Sequence, residues 1–311
     1  MEPQVEHAGG TVMTKKRIIF IHGLRGPSAT PLPPKNQCLR QWRDALRKGL
    51  WVDIPDDAFQ MAYWANYKTP AGVKEPGAAR LRWSVRVREV RSAYRPDKLL
   101  RWTRGLIVQF LFDLYCRFVR RVGPLLCRIE EEWLKDYWVY FNVQGAREHI
   151  RGVLEKELDS AAQEGERVAV VAHSMGTVIA LDALYNRGAQ KDTAGQTKYG
   201  VDLFVTMGSP LGLTPIQIDL TEGWPAHPKG YAHPPFPANV HHWLNVFDGV
   251  DTATLMDRRL GNDFTDNNMD RIVDRMIRAN VGPDGKRDPH HWYGYLSCEE
   301  VGDAVSKFWI P

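Results

Sequence analysis

Apolar positions along this chain come in two rhythms. RIIFIHG (Arg17–Gly23), FQMAYWANY (Phe59–Tyr67), RVAVVAH (Arg167–His173), VDLFVTMGSP (Val201–Pro210) and HHWLNVFDGVD (His241–Asp251) are short and dense in β-branched and aromatic residues. Several are apolar almost throughout, the composition of strands covered on both faces. Between them the spacing changes to three and four. Leu39, Trp42, Leu46 and Leu50 fall on one helical face, periodicity returns around Val143–Leu158, and TVIALDALY (Thr177–Tyr185) follows a strand directly. HHWYGYL leads into a closing helix at about Cys298–Trp309. Strands alternating with helices predict an α/β domain, with a mostly parallel central sheet and helices on both faces. Residues 1–14 read as a tail. The domain then spans 15–311, interrupted at about 70–140 by an insertion where basic and aromatic residues mix.

Composition narrows the class. The 311 residues are 43% hydrophobic and 25% charged, enough for a sizeable core, which excludes a disordered chain and a small disulfide scaffold. Cys38, Cys116, Cys127 and Cys298 are too far apart for the paired spacing of a zinc knuckle. They read as free or buried thiols, and a cytoplasmic location is expected. The first residues hold no apolar stretch of the secretory kind, and no run of about 18 apolar residues exists to span a bilayer.

The net charge of +4 conceals an asymmetry. Arg80–Arg128 carries 13 Lys+Arg against 3 Asp+Glu, a local +10, which leaves −6 on the rest of the chain. Within it Leu99, Leu106, Phe110, Leu114 and Phe118 recur at helical spacing beside Ile107, Leu111, Tyr115, Val119 and Val122. Arg101, Arg104, Arg117, Arg120 and Arg121 lie mostly off that stripe. Two readings stand. The stripe packs a helical cap on the core, or it forms a lid whose basic flank meets an anionic membrane surface through residues 80–128. Nucleic acid is not expected as a partner.

The sharpest motif is Ala172-His173-Ser174-Met175-Gly176, set between VAVV and TVIALDALY. It places a serine on a strand-to-helix turn. Such a turn forces unusual backbone angles on the serine and needs small residues two positions away on each side, here Ala172 and Gly176. The helix that follows aims N–H groups at the serine, which favours a developing oxyanion. His173 reads as a packing neighbour, because adjacent side chains on such a turn diverge.

With IHGLRG, AHSMG, VTMGSPLG and the closing His-rich segment in that order, the chain resembles an α/β-hydrolase of the serine esterase and lipase type, including the lipase-like group related to GPI-inositol deacylases. The likeness runs from Arg17 to about Trp309 apart from the insertion, with Ala172 in place of the usual first glycine. It implies the α/β-hydrolase fold, Ser174 as nucleophile, and an oxyanion hole from the backbone N–H groups of Leu24 and Met175. It also implies the order serine, acid, histidine. The acid then falls at Asp248 or Asp251. Similar hydrolases use the second Asp of a D-x-x-D turn, which favours Asp251. The base falls at His290 or His291, and His291, followed by an aromatic residue and then an acidic helix start, matches the family's closing segment better. His227 and His233 would line the rim, and His241 and His242 read as structural. The scattered histidines lack metal-ligand spacing, so neither metal nor other cofactor is expected.

The implied activity is hydrolysis of a carboxylic ester, lipid esters included, through an acyl-enzyme. Thioester hydrolysis or acyl transfer would use the same machinery. A rival from another class is a non-catalytic protein that binds anionic membranes or nucleic acid through the basic insertion.

Overall fold

A computed structural model describes residues 15–23, 32–73, 135–190, 199–224, 234–251, 253–254, 259–264, 271–278 and 280–311. Residues 74–134, most of the insertion expected at about 70–140, lie outside the described residues, as do Leu24, His227 and His233, and with them both readings of the insertion.

Among the described residues six strands form one sheet: β1 (Lys16–Ile21), β2 (Phe59–Ala62), β3 (Arg167–His173), β4 (Val201–Met207), β5 (Val240–Asp248) and β6 (Ile272–Ile277). Their order is β2-β1-β3-β4-β5-β6, and every neighbouring pair is parallel. The chain leaves β1 toward one edge, then crosses back past it to β3 and runs to the other edge. The strand order therefore reverses between β1 and β3. In open parallel sheets ligands bind outside the carboxyl ends of the strands at such a reversal. Register brings those ends level, with Ile21 opposite Ala172, His173 opposite Met207 and Met207 opposite Val246.

Among the described residues the helices that cover the sheet include α1 (Lys35–Leu46), α2 (Ala146–Gln163), α3 (Met175–Gly188), α4 (Thr214–Glu222), α5 (Trp292–Leu296) and α6 (Glu299–Trp309). Side chains alternate along each strand, so one strand feeds two cores. Ile19, Ile21, Val170 and Ala172 pack toward α2, α3 and α4. Ile18, Phe20, Ala169 and Val171 pack toward α1, α5 and α6. Right-handed crossovers account for the division, because α1 connects strands in one direction across the sheet and α2, α3 and α4 in the other. Phe20 stacks on Phe59 at 5.8 Å and meets the edge of Trp42 at 5.6 Å. Burying a side chain of this size contributes about 1.5–3 kcal/mol.

The helix α3 is buried nearly all round, and it carries a buried acid, Asp182. That carboxylate accepts from the Tyr140 hydroxyl at 2.7 Å, the Trp224 indole at 2.7 Å and the Arg147 guanidinium at 2.6 and 2.8 Å. The cluster ties the helical stretch 135–142, α2 and the end of α4 to the helix that follows Ser174.

Two elements differ from the sequence pattern. The helix α1 begins at Lys35, just after Pro34, although its first apolar position is later; proline is suited to helix starts. The strand β6 has no counterpart in the apolar rhythm. In IVDRMI only the two end isoleucines are buried, while Val273 and Met276 are exposed. Among the described residues it pairs with β5 alone, and an edge strand needs neither continuous apolarity nor strict alternation. No helix among the described residues is long and apolar enough to cross a membrane.

Candidate active site

The strand β3 ends at His173 and α3 starts at Met175, so Ser174 is the whole connection. It holds φ 53° and ψ −126°, and it is the one non-glycine residue with positive φ among those described. Such a conformation persists only where the surroundings fix it. The Ser174 N–H donates to the Met207 carbonyl at 3.0 Å. The Ser174 carbonyl accepts from the Thr177 hydroxyl at 2.7 Å, which in turn lies 2.8 Å from the Ser209 hydroxyl. Gly176 makes the turn possible, since a Cβ there would sit 2.5 and 2.6 Å from the carbonyl oxygens of His22 and Ile21.

Past β5 the chain turns twice. The first turn is closed by the Asp251 N–H to Asp248 carbonyl bond, and the second by Thr254 N–H to Asp251 carbonyl. This brings the fully buried Asp251 carboxylate under the carboxyl edge of the sheet. Both its oxygens lie 2.9 Å from His290 Nδ1, and His290 Nε2 lies 2.8 Å from Ser174 Oγ. Serine, histidine and aspartate thus form one hydrogen-bonded line. Asp251 also accepts from the Ala253 N–H at 2.9 Å and the Tyr295 hydroxyl at 2.7 Å. Burial pulls the His290 pKa down, but the Asp251 charge, its hydrogen bond and Asp288 outweigh it, and the net lies above the ordinary value.

The segment around His290 is held at three consecutive carbonyls. Asn280 Nδ2 donates to Pro289 O at 3.1 Å and to His291 O at 3.0 Å. His173 Nε2 donates to His290 O at 2.9 Å. A carbonyl can only accept, so His173 carries its proton on Nε2. Gly208, just after β4, leaves room beside the acid and base. Its φ is +53°, and a Cβ there would stand 2.9 Å from Asp251 Oδ2 and 3.2 Å from His290 Nδ1.

The histidine expected as base, His291, is not the one brought to Ser174. It occupies the N-cap of α5, and its Nδ1 accepts the Tyr293 N–H at 3.1 Å. Adjacent side chains on an extended segment point apart, so only one of the pair can face the serine, and it is His290. Asp248 is likewise apart from the line. It takes a bidentate pair of bonds from Arg287, both 2.8 Å, and accepts the N–H groups of Val250 and Asn280. Burial opposes its charge, but these donors prevail and hold its pKa below the usual carboxylate value. Asp248 fastens the turn that carries Asp251 to the small hairpin, bridged at Val281 and Arg287, that leads to His290.

Of the two oxyanion donors expected, Met175 opens α3 beside Ser174, whereas Leu24 is outside the described residues. The preceding His22-Gly23 is described. His22 Nε2 accepts the Trp64 N–H at 3.1 Å and its carbonyl accepts the Trp64 indole at 2.9 Å, which ties the end of β1 to the chain beyond β2. Of the pair expected to be structural, His241 and His242 sit at the start of β5, at the opposite edge from Ser174, and are exposed. Among the described residues no His, Cys, Asp and Glu cluster is arranged to hold a metal ion.

His173 gives this site a pH-dependent stability. Burial, then the nearby His290 and His291, push its pKa well below 6.5. A group held neutral in the fold and free to protonate when unfolded costs nothing above its unfolded pKa and destabilises as pH falls through it. His291, also lowered chiefly by burial, adds to this loss. His290, with its raised pKa, acts oppositely and at higher pH, its gain being complete by the time pH falls to 6.5. Denaturant midpoints measured from pH 8 to pH 5 should therefore drop below about pH 6.5. His173→Gln keeps a donor for His290 O and should flatten that drop.

Sequence patterns point to none of Tyr295, Asn280 and Arg287, because their contacts join segments far apart in the chain. A local signal existed only for Gly208, in the Gly-Ser-Pro that stops β4. No protein-family model, no curated protein and no solved structure matches this chain.

Proposed function

We propose that this chain is a serine hydrolase of the α/β-hydrolase type, acting on carboxylic esters. One observation carries the reading: Ser174 Oγ, on a strained strand-to-helix turn, lies 2.8 Å from His290 Nε2, whose Nδ1 lies 2.9 Å from buried Asp251. In this mechanism His290 takes the Ser174 proton as Oγ attacks the ester carbonyl. Asp251 orients the imidazole and stabilises the imidazolium. The oxyanion forms at the start of α3, against the Met175 N–H and, as the resemblance implies, that of Leu24. His290 then protonates the leaving alcohol. Water, activated by the same histidine, releases the acid and restores Ser174. A thioester would follow the same steps, and an acceptor alcohol in place of water would make the reaction an acyl transfer.

The local +10 of Arg80–Arg128 supports an anionic substrate or surface, and with its apolar stripe favours lipid esters met at an anionic leaflet. Two measurements test the reading together. A fluorophosphonate should label the protein. A panel of p-nitrophenyl esters of increasing acyl length, run beside vesicles of anionic phospholipid, should give turnover on at least one member. Neither labelling nor turnover on any of them would overturn it. Because the working base is neutral His290, kcat/KM should rise with pH through one ionisation lying above the ordinary imidazole value of 6.5.

A further inference from the structure

Tyr295 is fully buried in α5, with its hydroxyl between Asp248, which ends β5, and Asp251 beyond it. It accepts the Asp248 N–H at 2.9 Å and lies 2.7 Å from Asp251 Oδ2. The amide can only donate, so the single phenolic hydrogen goes to Asp251. Burial, and then the Asp251 charge, push the phenol's pKa far up, so it remains a donor. The Asp251 carboxylate is thus held by donors from three directions: the Ala253 N–H on Oδ1, Tyr295 on Oδ2 and His290 Nδ1 across both.

We propose that Tyr295 is a positioning residue that acts through Asp251. It fixes the plane of the carboxylate and draws charge from it, and so sets how strongly His290 holds its proton. The proposal deepens the hydrolase reading and rests on it for its bearing on catalysis. Its primary observable, the titration of His290, needs no turnover.

The sign follows from charge sharing. A carboxylate that serves fewer donors bonds the remaining one more strongly. Without the Tyr295 hydrogen bond, Asp251 should favour the imidazolium more, and the His290 pKa should rise. A more acidic phenol should lower it. The other groups facing this pair stay the same in both cases. They are His173 from the end of β3, Ser174, Asp248 with Arg287, and Asp288 and His291 on the segment of His290 itself.

The test is the His290 imidazole titration, followed by NMR in the full chain with Tyr295→Phe, with 3-fluorotyrosine at position 295, and with Tyr293→Phe. Tyr293 pairs its hydroxyl with Lys48 at the surface and serves as the control. The expected midpoint moves up by on the order of half a pH unit in Tyr295→Phe, about a threefold change in the proton equilibrium. It moves down with fluorotyrosine and stays put in Tyr293→Phe. Phe also strips the Asp248 N–H of its acceptor and so strains the fold. Fluorotyrosine keeps both hydrogen bonds, and its arm stands even if Tyr295→Phe does not fold. A fluorotyrosine midpoint that is unchanged or moves upward would overturn the proposal. The rising limb of ester hydrolysis should move in the same directions. If fluorophosphonate and esters both fail to react while the titration shifts as expected, the hydrolase reading fails and the Tyr295–Asp251–His290 coupling stands.

Discussion

Ser174→Ala is expected to abolish fluorophosphonate labelling and to lower ester turnover by on the order of 10⁶, with the fold intact. The size follows from what the side chain does. In the proposed mechanism its Oγ is the one atom of the line that bonds the acyl carbon, and no other group of the line would substitute for it. The fold should survive because the elbow is fixed through the backbone. The Ser174 N–H bonds Met207 O and its carbonyl takes the Thr177 hydroxyl, and neither bond involves Oγ. Alanine tolerates the positive φ about as poorly as serine, so the melting temperature should change little. Ser209 supplies an internal control. It is a buried serine two bonds away in the same network, with its hydroxyl on Thr177, and it has no histidine partner in the line. Ser209→Ala should keep the label. Labelling that persists in Ser174→Ala would remove Ser174 from the role.

What the sequence made legible was whatever local chemistry dictates. The strands β1, β3 and β4 are largely apolar because both faces are covered, and a run such as VAVVA needs no tertiary information to be recognised. The serine turn was legible for the same reason, since Ala172, Ser174 and Gly176 are bound by one turn's sterics. The edge strand β6 was not. Its middle residues face solvent, and Asp274 serves neighbours by accepting from Asn245 and from the N–H groups of Leu260 and Gly261. Its polarity therefore reflects long-range bonds that no window of sequence contains.

The choice between His290 and His291 shows the limit of a resemblance. Chain order placed the base in that pair, and order alone carries no orientation. What separates them is that α5 begins at Trp292, so His291 turns back to cap it while His290 is left on the preceding segment facing β3. Asn280 and His173 grip the carbonyls on both sides and at the centre of that segment, and both come from elsewhere in the fold. Asp251 is ranked over Asp248 by the same resemblance, through its D-x-x-D turn, and it is the Asp251 carboxylate that lies beside His290.

Variants at these two pairs should then divide cleanly. On the proposed mechanism, His290→Ala removes both the acceptor of the Ser174 proton and the donor to the leaving group, and turnover should fall by on the order of 10⁴ to 10⁶. His291→Ala deletes the cap on the Tyr293 N–H and a ring contact with Trp292, neither of which touches the line. It should leave turnover near wild type and cost stability by about 0.5–1 kcal/mol. Asp251→Asn should keep the fold but cut turnover by about 10⁴, because an amide cannot hold the imidazole in the tautomer that leaves Nε2 free to accept. Its pH profile should also change, since the charge that raises the His290 pKa is gone and burial, which lowers it, remains. The rising limb should move to lower pH on whatever activity survives. Asp248→Asn breaks the bidentate bond to Arg287 and loosens the attachment between the acid turn and the histidine hairpin. That is a positional effect, so melting temperature should drop while turnover falls by about tenfold. Steady-state kinetics and thermal melts on the four proteins would decide the matter. A His291→Ala variant as inactive as His290→Ala, or an Asp248→Asn variant slower than Asp251→Asn, would mean that the line from Ser174 through His290 to Asp251 is not the one that works.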